Sequence, residues 1–359
     1  MCKEMKTKIL IIFLTIDVLC YSQTPANDPI WQLEWVDEFD YFDSNRWIKA
    51  DYCDHGGEPQ LYLAQNISIN NGNLVITLKK ENSNCPTSPP MPTSWICGSC
   101  NQGTHAYTSG WIETKNTSSV QYGYIEARVK LPYGYGYWPA FWTWMASSST
   151  YQEMDIFEMI PGTNEYCVLP GASNFLHDYN IMTSNMHNTG VPNPNYFCTG
   201  NYKITQLYDY RDWHNYAIEW SPSKITWYVD NSPIRTEVND NKFDPTNITL
   251  NFALNNHEFP QNYNFGYPYG SLPAEMKVDF VKYYKLRREC SISISTCSYS
   301  FVNHTNTLKN NILLGGNGCY NVVPNDKVYY FRSANGILIN GDFEVPFGSQ
   351  IVLNGDACY

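Results

Sequence analysis

Short runs in which apolar and polar residues alternate fill most of the chain from Trp31 to about Leu286, each bounded by turn residues. A period of two is the signature of strands with one buried and one wet face. Asn66-Ile67-Ser68-Ile69 and Leu74-Val75-Ile76-Thr77-Leu78 flank Asn70-Asn71-Gly72-Asn73, a hairpin-turn signal. Tyr124-Ile125-Glu126-Ala127-Arg128-Val129 has the same character, as does Lys224-Ile225-Thr226-Trp227-Tyr228-Val229, which turns at Asp230-Asn231-Ser232. No long stretch repeats at helical spacing. The expected fold class is therefore all-β, an antiparallel β-sandwich of many strands.

One run departs from simple alternation. In Glu153-Met154-Asp155-Ile156-Phe157-Glu158, Glu153 and Asp155 share a face, but an offset of five sends Glu158 to the opposite one. A β-bulge at Ile156 or Phe157 returns Glu158 to the acidic face, and bulges re-aim side chains beside active sites. The glutamates then stand roughly 13 Å apart along the strand, at about 3.3 Å per residue. Inward-leaning side chains bring their carboxyls toward the ~5–5.5 Å that suits a nucleophile and a general acid/base on one glycosidic bond. Asp155 between them is placed to share a proton or a hydrogen bond with both. The bland alternative is a solvated acidic strand face, which the mutual repulsion of three carboxylates opposes.

The 359 residues fit one large sandwich with a small appendage. Residues 1–23 have a basic start (Lys3, Lys6, Lys8) and an apolar run from Ile9 to Leu19, the layout of a secretory signal. That run is too short, and interrupted by Asp17, to serve as a membrane span. Without Cys2 and Cys20, ten of the twelve cysteines remain, so disulfides in an exported protein are expected. Cys97-Gly98-Ser99-Cys100 with Cys53 and Cys85 is a weaker zinc pattern of irregular spacing. A net charge of −11 argues against nucleic acid or anionic membranes as partners. The 29 Tyr and 11 Trp serve strand propensity and core, and also offer flat faces on which a sugar ring stacks.

In order along the chain, five segments resemble glycoside hydrolase family 16. They are Trp35-Val36-Asp37-Glu38-Phe39-Asp40, Gln121-Tyr122-Gly123-Tyr124-Ile125-Glu126-Ala127-Arg128, Gly136-Tyr137-Trp138-Pro139-Ala140-Phe141-Trp142, Glu153-x-Asp155-x-x-Glu158 and Val278-Asp279-Phe280-Val281-Lys282-Tyr283-Tyr284. The third is closest to laminarinase-like members. The resemblance covers about residues 31–286 and implies a jelly roll with a concave substrate cleft. It makes Glu153 the nucleophile, Asp155 the helper and Glu158 the acid/base. It also puts Trp138 and Trp142 along the sugar subsites, with His187, Glu58 and Gln60 as further contacts, although ordinary strand and turn roles would account for those three. A structural calcium on Glu38, Gly72 and Asp279 is implied too; salt bridges and a plain turn would explain the same residues. No cofactor is expected for catalysis.

Departures bear on the substrate. Trp111 stands where laminarinase-like relatives commonly carry arginine, which makes it a candidate specificity residue. The segment from Ile160 to Ile181 is long for a hairpin loop, and Cys167 within it is placed to pair with Cys198. After Arg288 the composition shifts to Asn, Gly and four cysteines (Cys290, Cys297, Cys319, Cys358). Asn311-Ile312-Leu313-Leu314-Gly315-Gly316 and Gly336-Ile337-Leu338-Ile339-Asn340-Gly341 look like two copies of a small β-unit. The expected organisation is a signal at 1–23, a catalytic jelly roll at 24–287 and a disulfide-containing β module at 288–359 that binds sugar, anchors or spaces. The reading is a secreted, monomeric, endo-acting retaining hydrolase of a β-linked polysaccharide, first a β-1,3-glucan such as laminarin. The alternatives are a galactanase on agar, porphyran or carrageenan, transglycosylation through the same intermediate, and a non-catalytic carbohydrate-binding protein.

Overall fold

The computed structural model describes residues 31–53, 58–85, 103–132, 137–146, 151–158, 181–188, 202–203, 211–239, 244–254, 271–304 and 307–355. The expected signal, Cys97, Cys100 and the Cys167–Cys198 pairing lie outside these residues.

Two antiparallel sheets make the sandwich. The backing sheet runs Ser232–Val238, Lys224–Val229, Trp213–Trp220, Gly123–Lys130, Ala274–Leu286, Asn73–Leu78, Ile67–Asn70, and Trp31–Asp37 also pairs with Ala274–Leu286. The site sheet runs Tyr202–Lys203, Ile181–Asn188, Tyr151–Glu158, Tyr137–Ala146, Asn247–Leu254, Trp111–Thr114, Trp47–Lys49. Two hairpins in the backing sheet turn where the sequence predicts. Asn71 and Gly72 (φ 51° and 69°) join one, Asp230 and Asn231 (φ 46° and 69°) the other. Positive φ at both central residues is what a two-residue turn needs to match strand twist, and Asn, Asp and Gly tolerate it.

The alternation decides which faces meet. Ile76, Ile125, Val129, Val278 and Val281 of the backing sheet pack against Phe141, Met154, Ile156, Phe157, Leu250 and Phe252 of the site sheet. Burying one such side chain contributes roughly 1.5–3 kcal/mol, so this layer holds the strands in register. A second cluster lies on the opposite face of the site sheet, where Ala50, Cys53 and Tyr62 pack on Trp111, Ala140, Trp142 and Trp144.

The C-terminal region has a different architecture. Its strands alternate between two sheets and every pair is parallel: Arg288–Glu289, Leu308–Lys309, Val328–Ser333 and Gln350–Gly355 in one, Ile294–Thr296, Ile312–Val322 and Ile337–Glu344 in the other. This is a short two-sheet coil around Phe301, Leu314, Val323 and Phe331. The two β-units recognised in the sequence stack directly, Ile312 on Ile337 through Gly315 on Asn340. Gly315 has φ 113°, and a Cβ there would fall 1.5 Å from the Asn340 carbonyl oxygen, so only glycine fits where the rungs meet. Cys297 and Cys319 form a disulfide within this region. Cys53, Cys85 and Cys290 are disulfide-bonded as well.

Candidate active site

The carboxylate strand Tyr151–Glu158 carries the bulge that its sequence demands. Against Tyr137–Ala146, Asp155 pairs with Trp142 and Phe157 with Phe141, which leaves Ile156 as the extra residue. Met154, Ile156 and Phe157 enter the core. Glu153, Asp155 and Glu158 stand opposite Trp144, Trp142 and Ala140 and therefore share the face turned away from the core. His187 is opposite Glu153 and Asn185 opposite Asp155 on the next strand; the His187 side chain lies outside the described portion.

Asp155 is buried and hydrogen-bonded to both Glu153 and Glu158. Burial, then the charges of Asp155 and Glu158, pushes the Glu153 carboxyl well above the ordinary carboxylate range. Burial also drives Glu158 up, with Asp155 and Glu58 adding to the effect, while the Trp138 hydrogen bond opposes it. That bond runs from Trp138 Nε1 to Glu158 Oε1 at 2.9 Å. Burial and mutual repulsion in such a cluster favour holding a proton among its members. A carboxylic acid held protonated beside a carboxylate is the pair that acid-assisted nucleophilic displacement requires.

Behind the row lies a hydrogen-bonded support. Trp142 Nε1 donates to Asn251 Oδ1 at 2.8 Å, and Asn251 Nδ2 donates to the Tyr62 hydroxyl at 3.1 Å. Tyr62 in turn donates to Glu58 Oε2 at 2.7 Å, and Gln60 Nε2 donates to the same oxygen. Gln60 Oε1 accepts the Leu254 N–H at 2.9 Å. Glu58 thus stands near Glu158 on a fixed mount. On the other side, Trp144 Nε1 donates to Glu113 Oε2 at 2.8 Å and Asn247 Nδ2 to Glu113 Oε1 at 2.9 Å. Glu113 is fully enclosed, and burial raises its pKa to about 7 against those hydrogen bonds.

Three of the expected sugar contacts are buried to different degrees. Trp111 and Gln60 have no exposed surface, and Trp142 is 6% exposed. Trp111 packs edge-on against Tyr62, Trp142 and Trp144, with centroids 5.3, 5.3 and 6.2 Å away. It fills the cluster formed with Ala50, Cys53 and Tyr62 and props Trp142. Trp138 and Glu58 remain partly exposed beside the carboxylates. Sequence reasoning missed Glu113, Trp144, Asn251 and Tyr62 as supports. Glu113 lay within reach, because it is two residues from Trp111 and shares its face.

The expected calcium set is Glu38, Gly72 and Asp279. Glu38 is exposed, and Asp279 Oδ2 accepts Arg128 Nη1 at 2.6 Å, so a guanidinium already balances that acid. Among the described residues no three His, Cys, Asp or Glu side chains converge to hold a metal, where calcium needs six to eight oxygens.

Comparison with known proteins agrees with this geometry. The β-glucanase of Rhodothermus marinus is 28% identical over 286 residues, 72% of this chain and 86% of that protein. The endo-1,3-1,4-β-glycanase ExsH of Rhizobium meliloti is 28% identical over 63% of this chain, which spans only 41% of ExsH. The endo-β-1,3-glucanase structure from Pyrococcus furiosus superposes with a TM-score of 0.53 at 28% identity, covering 71% of this chain and 95% of that one. The pattern of glycosyl hydrolases family 16 matches residues 59–259, a span that holds the bulged strand and both strands paired to it. With more than half of the sequence accounted for in that way, the chain belongs to glycosyl hydrolases family 16.

Proposed function

We propose that the protein is an endo-acting retaining glycoside hydrolase that cleaves a β-linked polysaccharide, with a β-1,3-glucan as first substrate. The observation that carries the reading is the bulge at Ile156, which sets Glu153, Asp155 and Glu158 on one face with the Trp138 indole N–H on Glu158. Glu153 attacks the anomeric carbon while Glu158 gives its proton to the departing glycosidic oxygen. The glycosyl–Glu153 ester forms as the glycosidic C–O bond breaks. Glu158, now ionised, takes a proton from water, which opens the ester with net retention and restores both residues. Asp155, hydrogen-bonded to both glutamates, holds their spacing and shares a proton between the steps. The glucanase names of its relatives support the glucan choice. The basic-apolar leader at residues 1–23 supports export, and we propose that the enzyme acts outside the cytoplasm as a monomer.

The test is reducing-end release from laminarin, mixed-linkage glucan, agarose, porphyran and carrageenan, with Glu153→Gln as control. We expect release from laminarin and a loss of at least about 10⁴-fold in the variant, on the scale seen when a catalytic nucleophile is removed. Appreciable activity in Glu153→Gln would overturn the nucleophile assignment. Release from a galactan alone would keep the chemistry and change the substrate. Binding without release would make the protein a carbohydrate receptor.

A further inference from the structure

The bulge that aims Glu158 has a price in backbone pairing: at Ile156 the ladder between the carboxylate strand and its neighbours is interrupted. On the Ile181–Asn188 side, Asp155 pairs with Asn185 and Glu158 with Thr183, so Ser184 alone faces both Ile156 and Phe157. Buried backbone groups beside such a break need hydrogen bonds to hold them.

Two side chains of the backing sheet supply them from beneath. Trp227 Nε1 donates to the Asp155 carbonyl oxygen at 2.8 Å. Arg235 Nη1 donates to the Ser184 carbonyl at 2.5 Å and to Ser184 Oγ at 2.9 Å. Trp227 and Arg235 are direct cross-strand partners, and the guanidinium lies 4.5 Å from the centre of the indole ring. Glu237 Oε1 accepts Arg235 Nε at 3.0 Å. Trp227 is 0% and Arg235 4% exposed. A guanidinium in a sandwich core is costly to desolvate, and an aliphatic side chain would fill the volume without that cost. These contacts reach the strand facing the bulge, the indole that holds Asp155, and Glu237.

We infer that Trp227 and Arg235 form a positioning pair that clamps the two sides of the bulge and thereby fixes the aim of Glu158 and Asp155. Neither residue reaches the sugar; they act through the Asp155 and Ser184 backbone. The inference rests on the reading of Glu158 as acid/base.

Loss of the clamp mis-aims the proton donor, and that has a kinetic signature which loss of folded protein lacks. Glucan cleavage needs the proton from Glu158, whereas a dinitrophenolate leaves without one. Trp227→Phe, Arg235→Met and Arg235→Lys are compared with wild type on laminarin and on a dinitrophenyl β-glucan oligosaccharide, the latter by the pre-steady-state burst of phenolate. For Trp227→Phe and Arg235→Met we expect kcat on laminarin to fall about a hundredfold, the scale of an ångström-sized misplacement, with KM within about twofold. The burst rate should fall less than about threefold, and Arg235→Lys should recover part of the laminarin rate. Equal losses on both substrates would overturn the inference. Ser184→Ala removes one acceptor without opening the core, and should show the same split in smaller degree if the larger variants fail to fold. A wild-type enzyme with no glucan cleavage and no burst would instead sink the catalytic reading beneath it.

Discussion

Glu113 and Trp138 make opposite demands on a carboxyl group. Glu113 is enclosed and held near 7 by burial, against an ordinary value of 4.5. Between those values the folded chain keeps the proton and the unfolded chain has lost it, so stability falls as pH rises through the window and levels off above it. The cost accumulated by pH 8 is on the order of 3 kcal/mol. Urea midpoints of wild type and Glu113→Gln at pH 4.5 and 8 measure it. The difference between them should move by about that amount in favour of the variant at the higher pH; a constant difference would mean that Glu113 titrates alike in the folded and unfolded chain. Trp138 works the other way, since its N–H stabilises ionised Glu158. In Trp138→Phe the alkaline limb of kcat/KM should therefore move upward, and a downward shift would contradict the hydrogen bond's direction.

The carboxylate strand shows what an element-level pattern makes legible. Alternation failed at one place, between Asp155 and Glu158, and the structure puts the extra residue there, at Ile156. The Asn71-Gly72 and Asp230-Asn231 turns were equally readable, because their φ values restrict which residues fit. The burial of Trp111 was not legible for a physical reason: Ala50, Cys53 and Tyr62, which pack on it, lie far away in sequence, and no local pattern reports what packs over an exposed-looking face. The supports Trp227 and Arg235 were invisible for the same reason, since they reach the bulge from the other sheet. Deleting Ile156 separates facing from aiming. A regular strand would still turn Glu158 to the site face, but it would shift the Asp155 carbonyl relative to the Trp227 indole N–H and remove a buried side chain. We expect a folded β-protein by circular dichroism, destabilised by about 2–5 kcal/mol as in a core truncation, with glucan cleavage lost. Retained activity would show that the bulge serves packing alone.

At the scale of the molecule, the two architectures share a chain but no sheet among the described residues: the strands of the two large sandwich sheets pair antiparallel and the coil strands parallel. The sequence revealed a repeat at Ile312 and Ile337 but not its direction, because stacking of like units becomes visible only once consecutive rungs are laid side by side. A coil of so few rungs has a thin core, Phe301, Ile312, Leu314, Val323 and Phe331, so a covalent tie contributes a large share of its stability. Cys297 and Cys319 close a loop with a separation of 22 residues, which in the chain-entropy account stabilises by about 3 kcal/mol. The sandwich, with its much larger core, does not depend on that tie. Calorimetry of the full chain should therefore resolve two transitions, and the Cys297→Ser, Cys319→Ser double variant should lower only one of them. Heat-induced loss of glucan cleavage should follow the unshifted transition, because Glu153, Asp155, Glu158 and all their supports belong to the sandwich. If both transitions fell together, or activity followed the shifted one, the coil would be a structural part of the catalytic unit, not an appendage to it.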